Sequence, residues 1–422
     1  MTIQTPRAFP DYERCYILHR SPATPTPSLR FVPTILLTDP EQRSALAAAR
    51  ALAEAGHRVV TAGREVGIAG RSRATSKAIL LPGAVATDAA AYRAALAEIV
   101  QRERVDALLP VTDAASRRCL GFDDALGCRV LGPSAAGYAR ASDKAHLMEV
   151  ARSVGLRVPR QWTMNASGDA IPSEPSAMAL VVKPSRSVVD SEGGTVASSV
   201  RFADTHAQLE AAITAFHPAS FPLLIQERTY GHGVGVFLLR HAGNIILRFG
   251  HRRIREKPPA GGVSTFREAV EPPEQLVAQC ERLLATLEYD GPAMVEFKED
   301  ERTGEFVLME INARLWGSLQ LAIDAGVNFP VAMVALAFEL PLSHPTPKAG
   351  VRSYWEFGEL DHALALARRS REALHVPPSV EVGVAAAMRA LANRRLSDRP
   401  EVFRLNDPAP FLYEAMRWGR GK

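Results

Sequence analysis

The sequence predicts an α/β fold, and three observations support it. In the first third of the chain, short apolar runs alternate with helical segments rich in Ala and Leu. Such alternation is typical of a parallel sheet covered by helices. The middle third has longer β-rich runs joined by short turns, which predicts an α+β module. Residues 342–422 return to Ala- and Arg-rich helical segments.

Length and composition predict a globular protein of two to three domains. The chain has 422 residues, of which 47% are hydrophobic and 23% are charged, as in ordinary soluble proteins. Its 50 Lys and Arg against 46 Asp and Glu leave a net charge of +4, which does not favour a nucleic-acid partner. We expect no membrane association, because no apolar run approaches the roughly 18–20 residues of a span.

The N-terminus and the cysteines predict a cytoplasmic protein. The first residues lack the apolar stretch of a secretory signal. The cysteines show neither metal-binding spacing nor a disulfide framework. We interpret them as reduced thiols: Cys15, Cys119, Cys128 and Cys280.

Residues 31–140 are predicted to form a Rossmann-like domain, after an irregular extension over 1–30 that is rich in Pro, Ser and Thr. No G-x-G-x-x-G follows the first strand, so a dinucleotide is not expected. The basic loop over 64–77 suits an anionic substrate or a solvated surface. The alternating segments are strands over 32–37, 58–63, 78–81 and 107–111, and helices over 40–55 and 92–104.

Two lysines in the next part of the chain lie at the boundary of a predicted element, and a phosphate group would explain the position of the second. Lys144 opens a helix whose N-cap is Ser142 or Asp143, although a lysine there is by itself usual on a surface. Lys183 ends an apolar strand, and the loop after it offers backbone N–H groups suited to phosphate oxygens. An ordinary β-hairpin is the alternative interpretation. The loop residues concerned are Ser185, Ser187, Gly193 and Gly194.

A basic run, HRRIREK over 251–257, follows a further predicted hairpin. Arg253 and Arg255 are two residues apart and share a face if the strand continues. Arginine favours bidentate contacts with carboxylate or phosphate. Both arginines are therefore candidates for binding phosphate or a substrate carboxylate, and a solvated charged face is the alternative.

The segment over 290–312 predicts a β-hairpin around a polar loop that contains Gly304. Because alternate residues of a strand share a face, the second strand is expected to direct four side chains the same way. These side chains are Phe306, Leu308, Glu310 and Asn312.

Two carboxylates, Glu296 and Glu310, lie inside the otherwise apolar strands of this hairpin. Their burial is costly unless positive charge lies against them. Together with Asn312 they supply oxygen donors of the kind that Mg²⁺ prefers. Arg314 is expected to steady a phosphate oxygen. The alternative is a solvated hairpin face on which the Glu residues pair with nearby basic residues.

The motifs of this region resemble the metal-binding end of the ATP-grasp superfamily, and they are most similar to its carboxylate–amine ligase-like branch. The motifs are E-F-K over 296–298, E-I-N-x-R-x-W-G-S over 310–318 and A-G-V-N-F-P over 325–330. Ala313 stands where the family's N-P-R motif has proline. S-D-K at 142–144, V-K-P at 182–184 and Q-E-x-x-x-G at 226–231 extend the resemblance from about residue 32 to 340.

The resemblance implies an α/β arrangement in which a Rossmann-like pre-ATP-grasp domain precedes an ATP-grasp module. The implied ranges are 31–140 for the first domain, 141–341 for the ATP-grasp domain with a mobile lid over about 160–228, and 342–422 for a C-terminal helical segment. The implied cofactors are ATP and Mg²⁺ or Mn²⁺, with two ions.

The resemblance also assigns roles to individual residues. His232 and Gly233 stand where relatives often carry an acidic residue for the ribose. The implied metal ligands are Glu296, Glu310 and Asn312. The implied nucleotide-binding residues are Lys144, Lys183, Ser185, Glu227, Arg228, Thr229 and Tyr230. The implied catalytic residues are Arg253, Arg255 and Arg314.

The implied activity is that of an ATP-dependent ligase, which activates a substrate carboxylate as an acylphosphate for attack by an amine. The expected partners are a small-molecule carboxylate and a small-molecule amine, with no nucleic acid and no membrane. The C-terminal segment over 342–422, called the tail below, is expected to serve in packing or in an oligomer contact such as a homodimer. Two alternatives stay open: phosphorylation of bicarbonate by a carboxylase-type enzyme, and an ATP-binding regulator without turnover. The substrates themselves are not identified by the sequence.

Overall fold

The computed structural model describes residues 32–83, 88–171, 179–186, 188–191, 194–197, 200–377 and 379–421. The expected extension over 1–30 and Cys15 lie outside these ranges. Within them, none of the helices is both long enough and apolar enough to cross a membrane. Burial raises the pKa of the free thiols of Cys119 and Cys128 to about 12.

The first part of the structure is the predicted parallel sheet, with strand order β3-β2-β1-β4-β5. Apolar side chains on its two faces, such as Ile35 and Leu36, enter different cores, because successive residues of a strand point to opposite faces. Its elements are β1 (Thr34–Thr38), α1 (Arg43–Glu54), β2 (Arg58–Gly63), α2 (Gly67–Gly70), β3 (Lys77–Leu80), α3 (Ala89–Glu103), β4 (Ala107–Leu109), α4 (Asp113–Cys119), α5 (Asp123–Leu126), β5 (Arg129–Val130) and α6 (Ala135–Ser142).

A small antiparallel sheet follows, with strand order β10-β7-β11-β6. Its own core contains Val182, Leu209 and Ile225. The alternation of β7 that buries Val182 in this core turns Lys183 to the other face of the sheet. The elements are α7 (Lys144–Ser153), β6 (Gln161–Met164), β7 (Leu180–Pro184), β8 (Val188–Ser191), β9 (Gly194–Ala197), β10 (Arg201–Ala203), α8 (His206–Thr214) and β11 (Leu223–Glu227).

The largest sheet has strand order β16-β15-β12-β13-β14-β17-β18. One face packs on α7 and α9 through residues such as Leu147, Leu283 and Val295. The other face packs on α1, α10 and α11 through residues such as Phe237 and Phe329. The elements of its first part are β12 (Gly231–His241), β13 (Asn244–Lys257), β14 (Val263–Ala269), α9 (Glu274–Thr286), β15 (Gly291–Asp300), β16 (Phe306–Asn312), α10 (Leu319–Asp324) and α11 (Phe329–Ala337).

The tail is not purely helical, in contrast to the segment expected over 342–422. It adds two strands to the edge of the largest sheet, where β17 pairs with β14 and β18 pairs with β17. Short strands of this length carry too little periodic pattern to be recognised in a sequence. The tail elements are β17 (Arg352–Tyr354), α12 (Glu356–Arg368), α13 (Arg371–Leu374), α14 (Val384–Ala392), β18 (Arg399–Pro400) and α15 (Ala409–Gly419).

Candidate active site

The hairpin of β15 and β16 places Glu296 directly opposite Glu310. The next pair along the ladder is Phe297 with Leu308, so Met309 is an extra residue that has no partner on β15. A bulge of this kind reverses the alternation of the strand. Leu308 therefore lies in the core beneath the sheet, while Glu310 lies on the opposite face. The expectation that these two side chains share a face is wrong for this reason.

The two carboxylates and the amide of Asn312 converge on one point of the sheet. Asn312 Nδ2 lies 3.4 Å from Glu296 Oε2 and 3.5 Å from Glu310 Oε1. The Glu296 side chain is 17% exposed and the Glu310 side chain 30% exposed. Two negative charges that are close together and partly buried need positive charge nearby. Three basic residues from different elements supply it.

The first positive charge is Lys144, at the start of α7. Asp143 is the N-cap, as predicted, and its carboxylate accepts from the N–H groups of Ala145 and His146. Lys144 Nζ lies 3.2 Å from Glu310 Oε2. Ser185 also joins this helix start, because its hydroxyl donates to Asp143 Oδ1 at 2.9 Å. The cap thus fixes both the lysine and the beginning of the loop after β7.

The second positive charge is Lys183, at the end of β7. Its Nζ donates to the main-chain oxygen of Met309 at 3.3 Å, so the bulge residue supplies the acceptor for this lysine. Burial and the charge of Lys144 lower the pKa of Lys183 to about 8, against the attraction of Glu310 and Glu296. Ser187 and Gly193, predicted to bind phosphate in the following loop, lie outside the described residues.

The third positive charge is Arg253, on β13. Its Nη2 lies 2.7 Å from Glu296 Oε2, and its Nη1 lies 2.7 Å from Glu256 Oε1. Burial alone would lower the pKa of Arg253, but the charges of Glu296 and Glu256 outweigh it and raise the pKa.

Arg255 does not share the site with Arg253. The ladder between β13 and β14 is irregular on both sides of Arg255, which turns its side chain away from the carboxylates. Arg255 Nε donates to Glu359 Oε2 of α12 at 2.8 Å, and its guanidinium lies over the Phe266 ring at 4.5 Å. The expectation of a shared face therefore fails, because it assumed a regular strand.

Arg314, two residues beyond Asn312, is held by Asp113 at the start of α4. Its Nε donates to Asp113 Oδ2 at 2.9 Å, and the hydroxyl of Tyr138 donates to Asp113 Oδ1 at 3.0 Å. Asp113 lies at the carboxyl edge of the parallel sheet, where open α/β sheets bind ligands. The guanidinium is thereby fixed beside the carboxylate pair.

A cavity of about 250 Å³ opens between the first domain and the hairpin. Small residues of α4 and α6 provide the room, among them Ser116, Ala135 and Ala139. Lys144 and Glu310 lie on its wall, so the cavity reaches the charged centre. It is smaller than the roughly 300–1,000 Å³ of drug-sized pockets.

The predicted hinge residues connect the small sheet to the largest one. Glu227 ends β11, and Thr229 and Tyr230 are half-buried in the link to β12. The Arg228 guanidinium lies 4.4 Å from the Phe202 ring and donates to the main-chain oxygen of His375. This side chain therefore packs between the small sheet and the tail.

The two carboxylates differ in their electrostatic surroundings. The charge of Lys144 is the main cause that lowers the pKa of Glu310 to about 2, although burial opposes it. Burial raises the pKa of Glu296, and the charge of Glu310 adds to this, whereas Arg253 lowers it. Of the two carboxylates, Glu310 is therefore the one more strongly favoured in its ionised form.

The residues present fit a divalent cation with hard oxygen ligands. Among the described residues, no cluster of three or more His, Cys, Asp or Glu side chains has the spacing of a metal site. The fitting set is instead two opposed carboxylates and one amide, whose oxygen and nitrogen exchange places when the amide turns. Mg²⁺ is commonly held by one or two carboxylates together with substrate phosphates.

Three residues of the site were not assigned a role from the sequence. They are Tyr138, Glu256 and Asp113. Glu256 carried one signal, since it is the single acid within the basic run over 251–257. Asp113 lies far from Arg314 in the chain, so no local pattern predicts their pairing.

Comparisons with known proteins identify a family for one segment and a fold for most of the chain. A family model described as ATP-grasp in the biosynthetic pathway with Ter operon matches residues 220–356. This segment contains Arg253, Glu296, Glu310 and Asn312. No curated protein sequence matches the chain.

Several solved structures have a similar fold. The L-amino acid ligase from Bacillus licheniformis has 17% identity and a TM-score of 0.58, over 74% of this chain and 75% of that chain. The biotin carboxylase domain of Hydrogenobacter thermophilus 2-oxoglutarate carboxylase, with MgADP and bicarbonate, has 16% identity and a TM-score of 0.59, over 76% and 74%. The N5-carboxyaminoimidazole synthetase from Staphylococcus aureus, complexed with ADP, has 14% identity and a TM-score of 0.55, over 75% and 79%.

At these identities the likeness to solved structures is one of fold. The family model covers the segment that contains Glu296 and Glu310. The solved structures share the fold over about three quarters of the chain. The segment over 220–356 therefore matches an ATP-grasp family, and the chain shares its fold with these solved structures.

Proposed function

We propose that the protein is an ATP-dependent carboxylate–amine ligase. The observation that carries the proposal is the opposed pair Glu296 and Glu310, which lies within reach of two lysines and an arginine from three other elements. This arrangement offers ligands for a cation and positive charge for the phosphates of ATP. The L-amino acid ligase of similar fold supports a carbon–nitrogen bond as the product.

The proposed reaction has two steps. A carboxylate oxygen of the substrate attacks the γ-phosphorus of ATP, the bond to the β-phosphate oxygen breaks, and ADP leaves. The nitrogen of the amine then attacks the carbonyl carbon of the acylphosphate, phosphate leaves, and the amine loses a proton. The first step is needed because a free carboxylate is a poor electrophile.

The residues of the chain divide these tasks among them. Glu296, Glu310 and Asn312 are the proposed ligands of Mg²⁺ or Mn²⁺, which when bound neutralises charge on the phosphates. Lys144 and Lys183 bind phosphate oxygens, and the backbone of residues 227–230 lies against the adenine. Arg253 and Arg314 orient phosphate or carboxylate oxygens, because their guanidinium groups are held in place by other side chains.

The acid substrate is proposed to occupy the cavity beside Glu310. Its volume of about 250 Å³ suits a molecule of amino-acid size better than a peptide chain or a second nucleotide. Its walls are partly apolar, through Leu120 and Ile311, and partly charged. This favours a small acid with a modest apolar part.

A panel of carboxylic acids tests the proposal. ADP release is measured with each acid, with ATP and Mg²⁺, and with hydroxylamine present to trap an acylphosphate as a hydroxamate. Hydroxamate formed with one class of acid supports the ligase. Turnover with bicarbonate alone indicates the carboxylase-type reaction instead, and silence with every acid indicates an ATP-binding protein without turnover.

The metal role of Glu310 has its own test. Glu310→Gln removes the charge and keeps the shape, so we expect Mg²⁺-dependent ADP release to fall at least about 100-fold while the circular dichroism spectrum is unchanged. Glu305→Gln on the same hairpin is the matched control, because Glu305 is exposed and pairs only with Arg157 among the charge pairs described. Equal activity of the two variants would remove Glu310 from the metal site.

A further inference from the structure

Glu256 is a buried carboxylate at the edge of the site, and the proposed reaction does not use it. It lies at the end of β13, where the ladder to β14 is irregular, and it is 9% exposed. Its Oε1 lies 2.7 Å from Arg253 Nη1, and its Oε2 lies 3.8 Å from Lys298 Nζ. A buried carboxylate needs a specific ion pair to offset its loss of hydration. The partner of Glu256 therefore indicates what Glu256 does in the site.

Arg253 uses different nitrogen atoms for its two carboxylates. Nη1 donates to Glu256 Oε1 and also to the main-chain oxygen of Gly262 at 3.0 Å, whereas Nη2 lies against Glu296. The two contacts are therefore separable. When Glu296 turns towards a cation, the contacts of Nη1 can stay as they are.

The backbone of β12 is shaped to admit this pair. A Cβ atom at Gly233 would lie 2.6 Å from Arg253 Cδ and 3.2 Å from Glu256 Oε1. The first distance is far shorter than atoms tolerate, so the Arg253–Glu256 pair fits only against a glycine. Gly233 of the G-H-G-V-G segment is therefore required by the close approach of the Arg253 side chain and not by the backbone conformation at this position.

Arg253 and a divalent cation are competitors for Glu296. Both are positive, and both use the same carboxylate, so the cation gains most when another anion satisfies the guanidinium. Without Glu256, the side chain of Arg253 would keep Glu296 as its carboxylate partner, and the cation would have to displace it. Glu256 is placed to weaken this competition, because it offers Nη1 a second carboxylate while Nη2 contacts Glu296.

We infer that Glu256 is a positioning residue, which holds Arg253 through Nη1 and so releases Glu296 to the divalent cation. The inference rests on the metal role proposed for Glu296. It assigns no contact between Glu256 and the cation or the substrate. Its consequence is a specific one: loss of Glu256 weakens cation binding only as long as Arg253 is present.

Binding of Mn²⁺ in the presence of ADP tests this directly, with free Mn²⁺ measured by electron paramagnetic resonance. We expect Glu256→Gln to raise the dissociation constant of Mn²⁺ about tenfold, in the range found for residues that support metal ligands. In an Arg253→Met background the same substitution should have no further effect. If the Glu256 carboxylate merely attracted the cation at a distance, its removal would lower the affinity for Mn²⁺ in both backgrounds.

The matched control is Glu268→Gln, which removes a half-buried carboxylate from the neighbouring strand β14, where it pairs with Arg252 at 3.7 Å. It should leave Mn²⁺ binding unchanged. Glu256→Asp keeps the charge but withdraws the oxygen by one methylene, and it should weaken Mn²⁺ binding in the same direction. It therefore tests the inference if the Gln variant does not fold.

The outcomes separate this inference from the proposed function. Equal affinity of the wild type and Glu256→Gln, or an undiminished effect of Glu256→Gln in the Arg253→Met background, would overturn the inference alone. No Mn²⁺ binding by the wild type with ADP would overturn the metal role of Glu296 and the inference with it. Absence of turnover with every acid would overturn the ligase proposal and leave the Mn²⁺ result standing.

Discussion

Individual charged side chains of the site are tuned by their burial and by a few close partners. Lys183 is the clearest case, since burial and the neighbouring charge of Lys144 lower its pKa to about 8. Glu310 keeps its charge instead. Lys144 lowers the pKa of this carboxyl to about 2, so that it is ionised throughout the physiological range. The charge of Glu310 is therefore constant near neutral pH, while the charge of Lys183 varies.

The variable charge of Lys183 predicts a pH dependence of nucleotide binding. The ammonium form is present below about pH 8 and is lost as the pH rises through that value. Phosphate oxygens favour the charged form, so the affinity for ATP should be about tenfold lower one pH unit above the pKa than well below it. Titration calorimetry with ATP at pH 6.5 to 9.5 measures this dependence.

Lys183→Arg should shift the decline to higher pH, because a guanidinium keeps its charge throughout this range. Lys77→Arg is the control, since Lys77 pairs with Glu103 in the first domain, away from the site. A constant wild-type affinity across the range would contradict the role given to Lys183.

At the scale of secondary-structure elements, two irregular strands decide which side chains face the site. The bulge at Met309 on β16 separates Glu310 from Leu308 and offers a main-chain oxygen to Lys183. The irregular end of β13 divides Arg253 from Arg255, so that one faces Glu296 and the other faces α12. Bulges are common next to active sites because they redirect side chains without ending a strand.

The position of Arg255 predicts a structural contribution rather than a catalytic one. Arg255→Met leaves the buried carboxylate of Glu359, which is 1% exposed, without its nearest charged partner. Breaking a buried pair costs about 3–5 kcal/mol, so the free energy of unfolding in urea should fall by about that amount. ADP release per folded molecule should change little, which separates this variant from Arg253→Met.

Arg252→Met on the same strand is the matched control. Arg252 is about half exposed and lies 3.7 Å from Glu268, so its loss should cost less than about 1 kcal/mol. If Arg255→Met instead kept full stability and lost activity, Arg255 would belong to the site after all.

At the scale of the whole molecule, the tail connects α1 to the largest sheet. Glu401 forms ion pairs with Arg43 of α1 and with Arg267 of β14. Asp407 accepts from Arg50 Nε at 2.9 Å and from the hydroxyl of Ser72 at 2.6 Å. Since Asp113 of the first domain also holds Arg314, the placement of that domain matters for the geometry of the site.

Glu401→Gln tests the contribution of this connection. It leaves Arg267, which is 0% exposed, without its carboxylate. We expect the free energy of unfolding to fall by about 3–5 kcal/mol, measured by urea denaturation. In an Arg43→Met background the loss of stability should be smaller, because the ion pair between Arg43 and Glu401 is already absent there. Losses that simply add in the double variant would show that Glu401 does not couple α1 to the sheet.

Local sequence patterns predicted the parallel sheet over 32–111, the hairpin of Glu296 and Glu310, and the cap that places Lys144. These features follow from local patterns, namely apolar periodicity, turn residues and capping residues, which the chain carries within a few positions. The bulge at Met309 and the partners of Arg253, Arg255 and Arg314 became visible only in the folded chain. The three arginines pair with Glu256 at an irregular strand end, with Glu359 in the tail and with Asp113 at the start of α4. An ion pair forms where folding brings two distant charges together, and no local pattern records which two these are.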